Sequence, residues 1–364
     1  MTIEEKGYWV ALSMAPGIGP KRFQKILYFF GRAEEAWQAS PEVWQRLVGS
    51  KLAEGFSAFR RSVDPRAVVE DLAKKRMKFV CSCEAEYPRL LSQIYDPPPV
   101  LYYKGEIKAE DSIAVAIVGS RSASPGGLLV AEELARDLAA AGVTVISGLA
   151  RGIDSAAHRG ALSDPAGRTI AVLGSGLDRI YPPENSRLAE KIMERGALCT
   201  EYPPGTAPLA RNFPARNRII SGLALGVTVV EAAADSGSLI TVDFALEQGR
   251  EVFAVPGGIN RKRSKGTNRL IKEGAFLVES VEDILPVLAL HRPRPTAEET
   301  VTAQGGDSPV EKEILFALTE EEYHIDMLVR LTGYSPGEIS AALILMEMKG
   351  IVSQIAPGIY RKCK

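Results

Sequence analysis

Glycine follows each of the five apolar segments that this sequence marks as parallel strands, and serine follows four of them. Parallel strands bring their carboxyl ends to one edge of a sheet, so these residues should meet there. Glycine lets backbone amides approach an oxyanion closely, helix N-termini add partial positive charge, and serine adds a neutral donor. Glycine also ends strands in any such fold, but its repetition at five loops, with serine and two arginines, favours a phosphate-binding edge. The loops are Gly119-Ser120-Arg121-Ser122, Ser147-Gly148-Leu149-Ala150-Arg151-Gly152, Gly174-Ser175-Gly176, Glu231-Ala232 with Ser236-Gly237-Ser238, and Pro256-Gly257-Gly258.

Two basic segments support an anion site. Residues 202–230 contain no acidic residue but hold Arg211, Arg216, Asn217 and Arg218 beside Phe213. Arginine forks suit phosphate oxygens, and an aromatic ring can stack on a base. The second segment, residues 261–269, holds five basic residues including Lys265 and no acid. Such a run is commonly a solvated surface loop, but its place beside the glycine-rich edge favours anion contact.

The motifs of nucleotide enzymes are missing. The sequence has no G-x-x-x-x-G-K-[ST] loop, and the stretch after the first parallel strand does not read G-x-G-x-x-G. Asp154 and His158 lie four residues apart on one predicted helix, where they could pair, cap the helix or transfer protons. A structural pair is the favoured interpretation, because no nucleophile, base and orienting group come together. The residues alone indicate a binding domain for a polyphosphate, such as a nucleic-acid strand, without a cofactor.

The elements that would position these residues form an α/β core. Apolar, β-branched segments alternate with helices of about ten residues, which predicts a mostly parallel, doubly wound sheet covered on both faces. A short strand at Met77–Val80 and an extended piece at Val100–Tyr103 precede this pattern. The predicted strands are Ile113–Val118, Val143–Ile146, Thr169–Leu173, Val227–Val230 and Glu251–Val255, and the helices are Val130–Ala141, Ile153–Leu162, Asn185–Arg195 and Leu239–Gln248.

Smaller modules flank the core. Residues 1–64 predict a helical domain whose Gly17-Ile18-Gly19 turn is typical of a helix-hairpin-helix, or SAM-like, fold. Residues 65–290 form the extended core, and residues 291–308, rich in Pro, Thr, Gly and Glu, read as a linker. Three predicted helices and a hairpin make residues 309–364 a winged helix.

The composition limits the function classes. The 364 residues carry a formal net charge of −1, so the overall field does not attract polyanions and any nucleic-acid contact must be local. Four cysteines without a C-x-x-C pair and three histidines predict no metal site. Free thiols fit a reducing cytoplasm, and neither a membrane-spanning run nor a secretory signal is expected.

The stretch from Tyr87 to Ala275 resembles the DNA-processing protein DprA (Smf) family over about 190 residues, with the matching segments in the same order. These are Tyr87-Pro88, Asp96-Pro97-Pro98 with Leu101 and Gly105, Ala116–Arg121, Ser147–Asp154 with His158, Thr169–Gly174, Gly176–Asp178, Tyr181-Pro182 with Asn185, Phe213–Gly222, Glu231-Ala232, Ser236–Thr241, Gly249–Gly257, Gly266–Asn268 with Leu270-Ile271, and Gly274-Ala275.

The resemblance implies a Rossmann-like core that binds single-stranded DNA without sequence preference. It further implies a non-catalytic protein that protects incoming DNA during natural transformation, loads the RecA recombinase onto it, and acts as a dimer. The segment after Tyr181-Pro182 reads Pro183-Glu184 where members often carry a basic residue, so Arg187 ranks below Arg121, Arg216 and Arg218. By position, the DNA pocket would hold Gly119, Ser120, Arg121, Ser147, Gly148, Arg151, Asn185, Arg187, Arg211, Arg216, Asn217, Arg218, Ser236, Gly237 and Lys265.

Several alternatives stay open. A nucleoside-monophosphate-hydrolysing enzyme shares this architecture, but Pro256-Gly257-Gly258 is not followed by the Gly-Thr and Glu that its loop requires. A scaffold role would use Leu246 and Ile271 as an apolar self-association patch. The Gly17–Gly19 turn could grip a phosphate or be a plain corner. The winged helix, with four basic against eight acidic residues between 309 and 361, favours a protein contact over DNA.

Overall fold

The computed structural model describes residues 1–290, 309–318, 323–349, 351–356 and 358–362. The chain divides into two compact units, residues 1–292 and 293–364. The predicted linker at 291–308 lies outside the described residues. Within the described part, no helix has the length and apolar character needed to cross a membrane.

The centre of the first unit is a nine-stranded sheet in the order β1-β2-β6-β5-β4-β3-β7-β8-β9. In this order, the seven strands β6, β5, β4, β3, β7, β8 and β9 are parallel to one another. At one edge, β2 pairs antiparallel with β6, and β1 pairs antiparallel with β2. The order reverses between β3 and β7, which is the switch point where open α/β sheets bind ligands. The strands are β1 Lys78–Cys81, β2 Val100–Gly105, β3 Ala114–Val118, β4 Thr144–Ser147, β5 Thr169–Val172, β6 Ala197–Thr200, β7 Gly226–Val229, β8 Glu251–Ala254 and β9 Phe276–Leu277.

Helices cover both faces of this sheet. Along β3, Val115 and Ile117 pack with α8 and α9 residues, whereas Ala116 and Val118 pack with those of α11 and α12, as the two-residue period of a strand requires. The helices of the core are α7 Arg89–Ser92, α8 Pro125–Ala140, α9 Ile153–Ser163, α10 Ser186–Arg195, α11 Asn212–Gly222, α12 Leu239–Glu247 and α13 Lys265–Lys272.

The N-terminal helices build a second apolar core around stacked Trp44 and Phe56, whose ring centroids are 3.9 Å apart. The first helix also joins the main sheet, because Val10 packs with sheet residues and Trp9 Nε1 donates a 2.8 Å hydrogen bond to the Pro99 carbonyl. The tight Gly17–Gly19 turn separates the first two helices. The helices are α1 Ile3–Met14, α2 Pro20–Phe30, α3 Ala33–Gln38, α4 Pro41–Val48, α5 Ser50–Ser62 and α6 Pro65–Lys74.

The second unit has the elements of a winged helix, with a core that includes Ile314, Leu328, Leu343 and Val352. Its three-stranded sheet has the order β10-β12-β11. The elements are α14 Pro309–Ala317, β10 Tyr323–His324, α15 Ile325–Thr332, α16 Pro336–Met348, β11 Val352–Ala356 and β12 Ile359–Lys362.

The predicted fold class is confirmed in all three parts: a helical N-terminal region, a doubly wound core and a winged helix. The domain boundaries at residues 64 and 290 stay predictions. The elements of the core that were not predicted include the strands β6 and β9 and the helices α7, α11 and α13. Both strands are short, with four and two residues. The sequence of α11 includes Pro214 and Gly222, and these residue types usually indicate a turn and not a helix.

Candidate nucleic-acid interface

A cleft opens at the switch point, between the loops that follow β3 and β7 and the flank of α11. Its volume is about 280 Å³. The loops are joined at its base, because Ser120 N donates to the Glu231 carbonyl at 2.7 Å. Six predicted site residues line this cleft: Gly119, Arg121, Arg216, Asn217, Ser236 and Gly237.

Aromatic and cationic groups lie close together at the cleft. The exposed Arg121 guanidinium lies 5.5 Å from the centre of the Phe213 ring, and the Arg216 guanidinium lies 6.0 Å from it. Tyr181, 41% exposed, adds a second ring 5.5 Å from that of Phe213. Two guanidinium groups around an aromatic pair can bind phosphates and stack a base in the same place.

Arg216 is a buried charge, with 3% of its surface exposed. Its Nη1 donates to the Gly148 carbonyl at 2.8 Å and to the Val172 carbonyl, which ties α11 to the ends of β4 and β5. Burial lowers the pKa of Arg216 to about 10, with the carboxylate of Asp154 opposing the shift, so the group stays charged at neutral pH. The cleft therefore contains a fixed positive charge that is already oriented.

Glycine is required beside this charge. A Cβ at Gly148 would lie 2.6 Å from Arg216 Nη2, and a Cβ at Gly152 would lie 2.2 Å from the Ser120 carbonyl oxygen. Gly152 also has a φ of 74°, and Leu149 between them has a φ of 56°. These glycines permit close packing of the loop that follows β4, so their role is at least partly structural.

Asp154 and Asn185 hold that loop in place. Asp154 Oδ2 accepts hydrogen bonds from Gly148 N at 3.1 Å and Ala150 N at 3.4 Å. Asn185 Nδ2 donates to the Leu149 carbonyl at 2.8 Å and to Ser155 Oγ at 2.9 Å. Burial raises the pKa of Asp154, while Arg216 acts against that rise.

The expected pairing of Asp154 with His158 is wrong. His158 is fully buried, and its Nδ1 lies 2.7 Å from Thr169 Oγ1. Because the Thr169 hydroxyl donates to the Val145 carbonyl at 2.7 Å, His158 donates through Nδ1. Its Nε2 has no hydrogen-bond partner among the described residues. Burial lowers the pKa of His158 to about 3, with Arg216 contributing, so it is neutral and belongs to the core.

The N-terminus of α8 is already occupied by a carboxylate from the chain itself. Glu231 accepts a 2.8 Å hydrogen bond from Ser124 N and a 2.6 Å hydrogen bond from Ser124 Oγ. A Cβ at Gly127 would lie 2.6 Å from the Glu231 carboxyl carbon. At the helix after the first parallel strand, the partial positive charge of the N-terminus is therefore compensated by Glu231 inside the protein.

Two predicted DNA contacts already have partners inside the protein. Ser147 is fully buried, and its hydroxyl donates to the Ile117 carbonyl at 2.6 Å. Arg218 donates to both carboxylate oxygens of Glu201, at 2.6 and 2.7 Å, and forms an ion pair with Asp96 at 3.2 Å. Both groups face the protein, so a direct role in binding does not fit their surroundings.

The remaining predicted residues lie around the cleft and do not line it. Arg151 is exposed and paired with Glu184. Arg187 lies on α10, in a separate groove with Arg159 and Lys191. Exposed Arg211 precedes α11 and exposed Lys265 begins α13. Half-buried Ser120 lies beside Arg121. In the described part of the chain, no group of His, Cys, Asp or Glu could hold a metal ion.

Comparison with known proteins is consistent with this architecture. Residues 78–289 match the family model described as DNA recombination-mediator protein A, and residues 292–358 match the DprA winged helix domain. Protein Smf of Synechocystis is 36% identical over 99% of both chains.

Two solved structures are also similar. DNA processing protein A (DprA) of Streptococcus pneumoniae is 38% identical with a TM-score of 0.68, covering 77% of this chain and 97% of its own. DNA processing protein A of Helicobacter pylori, described with a single-stranded DNA binding mode, is 30% identical with a TM-score of 0.53, covering 59% and 96%.

Replacing Arg218 tests its structural role. Arg218→Ala leaves the carboxylates of Glu201 and Asp96 without their common partner, and we expect the free energy of unfolding to fall by about 3 kcal/mol. Urea denaturation measures this loss. The control Arg136→Ala removes an exposed arginine of α8 and should change stability by less than about 0.5 kcal/mol. An equally small loss for Arg218→Ala would show that the buried ion pair contributes nothing.

His158 should make stability depend on pH. Below pH 6.5 the unfolded chain binds a proton at this side chain, whereas the folded protein, with its pKa near 3, does not. Wild-type stability should therefore fall as the pH drops from 7 to 5, by about 2 kcal/mol more than in His158→Asn, whose amide can still donate to Thr169. Denaturation of both proteins at the two pH values measures this. A constant difference in stability would contradict a neutral, buried His158.

Proposed function

Because the chain belongs to the DNA recombination-mediator protein A family, we propose that it binds single-stranded DNA, without sequence preference, in the cleft at the switch point. The observation that carries this proposal is the Phe213 ring with Arg121 and Arg216 around it. Guanidinium groups bind phosphates whatever the base, and every base has a face that can stack on a ring.

The two arginines have different tasks in this proposal. Carbonyl groups hold the Arg216 guanidinium, so it provides a positive charge at a fixed position, and its side chain is already ordered before DNA binds. Arg121 is exposed and free to follow a phosphate. Asn217, Ser236 and Gly237 also line the cleft and supply amide, hydroxyl and backbone donors.

The geometry favours a single strand over a duplex. A strand must present an unpaired base for the ring of Phe213 or Tyr181 to stack on its face, and a paired base hides both faces within the helix. The cleft is a pocket of base and phosphate size.

Catalysis on a nucleotide, the second candidate, has less support. Glu231 occupies the α8 N-terminus where a nucleotide phosphate would bind, and Asp154 uses its carboxylate to hold backbone amides. The backbone of the loop after β8 is also bonded inside the protein and is not available to a nucleotide, since Gly257 N and O both form hydrogen bonds with the Asn268 side chain, at 3.0 and 2.8 Å. We therefore propose a binding protein that is not an enzyme.

We further propose that the protein acts in the cytoplasm, where it protects incoming single-stranded DNA and loads the RecA recombinase onto it during natural transformation and recombination. We propose that it acts as a homodimer. Leu246 on α12, 63% exposed, and the half-buried Ile271 on α13 are the apolar residues expected at that interface. The winged helix exposes Ile344 and Leu345 on α16, which supports a protein contact there.

Salt dependence tests the binding mode. Each neutralised phosphate of a single strand contributes about −0.7 to the slope of log K against log salt, so the two cleft arginines, Arg121 and Arg216, predict a slope of roughly −1.4. Arg121→Ala should weaken binding about tenfold for any base composition and reduce the slope by about 0.7. Fluorescence anisotropy with labelled oligonucleotides measures both quantities.

The control for this experiment is Arg136→Ala, which removes an exposed arginine of α8 that does not line the cleft and should bind as the wild type does. Salt-independent binding, or equal affinity for duplex and single strand, would contradict the proposal. Release of free base from nucleoside monophosphates would favour the enzymatic alternative.

RecA loading is tested on strands coated with single-strand-binding protein. The protein should speed the appearance of RecA filaments on the coated strands, and Arg121→Ala should do so less because it holds the strand less tightly. RecA-dependent ATP hydrolysis reports the filament. If the wild-type protein binds single strands but does not change this rate, DNA binding stands and the loading assignment fails.

A further inference from the structure

Large aromatic side chains are exposed on α2 and in the loop before β2. Tyr28 on α2 is 94% exposed, Phe29 is 58% exposed, and Tyr95, in the loop before β2, is 80% exposed. Single exposed apolar residues need no explanation, but a group of aromatic rings beside cations is the composition of a binding surface.

The helical period puts the cations of α2 next to Tyr28. Lys21, Lys25 and Tyr28 are four and three residues apart, so they form one stripe along the helix. The opposite side carries Phe23 and Ile26, both buried in the N-terminal core. The sequence of α2 has three basic residues and no acidic residue. The stripe is therefore a positive, aromatic face that the fold leaves uncovered.

Tyr95 extends this face onto the sheet domain. The Lys21 ammonium lies 4.5 Å from the centre of the Tyr95 ring, so a residue of α2 and a residue of the core form one surface. We call the group Lys21, Lys25, Tyr28 and Tyr95 the α2 face.

The α2 face is connected to the cleft through α11. Asp96, next to Tyr95, pairs with Arg218, which lies two residues after Arg216 on α11. Arg218 also neutralises Glu201, so the acids of this connection are matched by a cation. Pro214 and Ala215 on the same helix are exposed, and Pro214 also lines the cleft, so α11 presents a solvent-facing surface beside the cleft.

We propose that the α2 face is a second contact for single-stranded DNA, on which bases stack against Tyr28 and Tyr95 while Lys21 and Lys25 neutralise phosphates. This inference rests on the proposed function, because the strand is first held in the cleft. DNA fits the face better than a protein does, since its charge is entirely positive and its apolar groups are flat rings, which match phosphates and bases.

Strand length separates the two contacts. A thymidine oligonucleotide of roughly 6 nucleotides fills the cleft alone, and one of roughly 25 nucleotides can reach the α2 face as well. The double variant Lys21→Ala/Tyr28→Ala should bind the long strand about tenfold more weakly and the short strand as the wild type does. Its salt slope on the long strand should be reduced by about 0.7.

Two matched variants sharpen the result. Tyr28→Phe keeps the ring and should bind the long strand like the wild type, while Lys74→Ala removes an exposed lysine of α6 and should change nothing. Wild-type affinity of the double variant for the long strand, with Arg121→Ala still weak on both lengths, would overturn the α2 face and leave the proposed function intact. If Arg121→Ala also binds normally, the proposed function itself fails.

Two other outcomes would overturn the inference. An equal loss on short and long strands would mean that the substitutions disturb the cleft. A lower mass by light scattering, with unchanged DNA affinity, would show that the α2 face contacts a second copy of the chain.

Discussion

The arrangement of the cleft depends on one buried positive charge, the guanidinium of Arg216. Its hydrogen bonds to the Gly148 and Val172 carbonyls connect α11 to the ends of two neighbouring strands. Burying an ion is costly unless its donors are satisfied and an opposite charge is near. Asp154 supplies that charge and uses the same carboxylate to hold the amides of the loop after β4. A single set of interactions thus organises a loop, a helix and the charge of the site.

Three arginines that the sequence predicts for the same role, DNA contact, have different surroundings in the structure. Arg121 is exposed at the cleft, Arg216 is buried in its wall, and Arg218 is paired with Glu201 and Asp96. Arg216 and Arg218 are only two residues apart on one helix, so their side chains point in different directions. The protein therefore places an exposed contact, a fixed charge and a structural ion pair within a small region.

The sheet and its glycine-rich edge were predictable because the signals are local. Apolar β-branched runs mark β3, β4, β5 and β7, and parallel strands must end on the same side. The pairing of Glu231 with Ser124 was not predictable, because the two residues are 107 positions apart and neither has an unusual neighbour. Likewise, helical spacing put Asp154 and His158 on one face, but it carries no information on the Gly148 and Ala150 amides or the Thr169 hydroxyl. Local periodicity reveals elements, whereas hydrogen-bond partners depend on how those elements pack.

The carboxylate at the start of α8 also affects which ligands can compete for the cleft. Glu231 is part of the chain, so dilution cannot remove it, and a free phosphate would have to displace it from Ser124 N and Oγ. Mononucleotides in a cell carry the same phosphate chemistry as a DNA strand, at high concentration. Because Glu231 fills this position, a ligand gains binding affinity only from contacts with the rings and guanidinium groups farther out. A polymer that spans these groups therefore binds with an advantage over its own monomers.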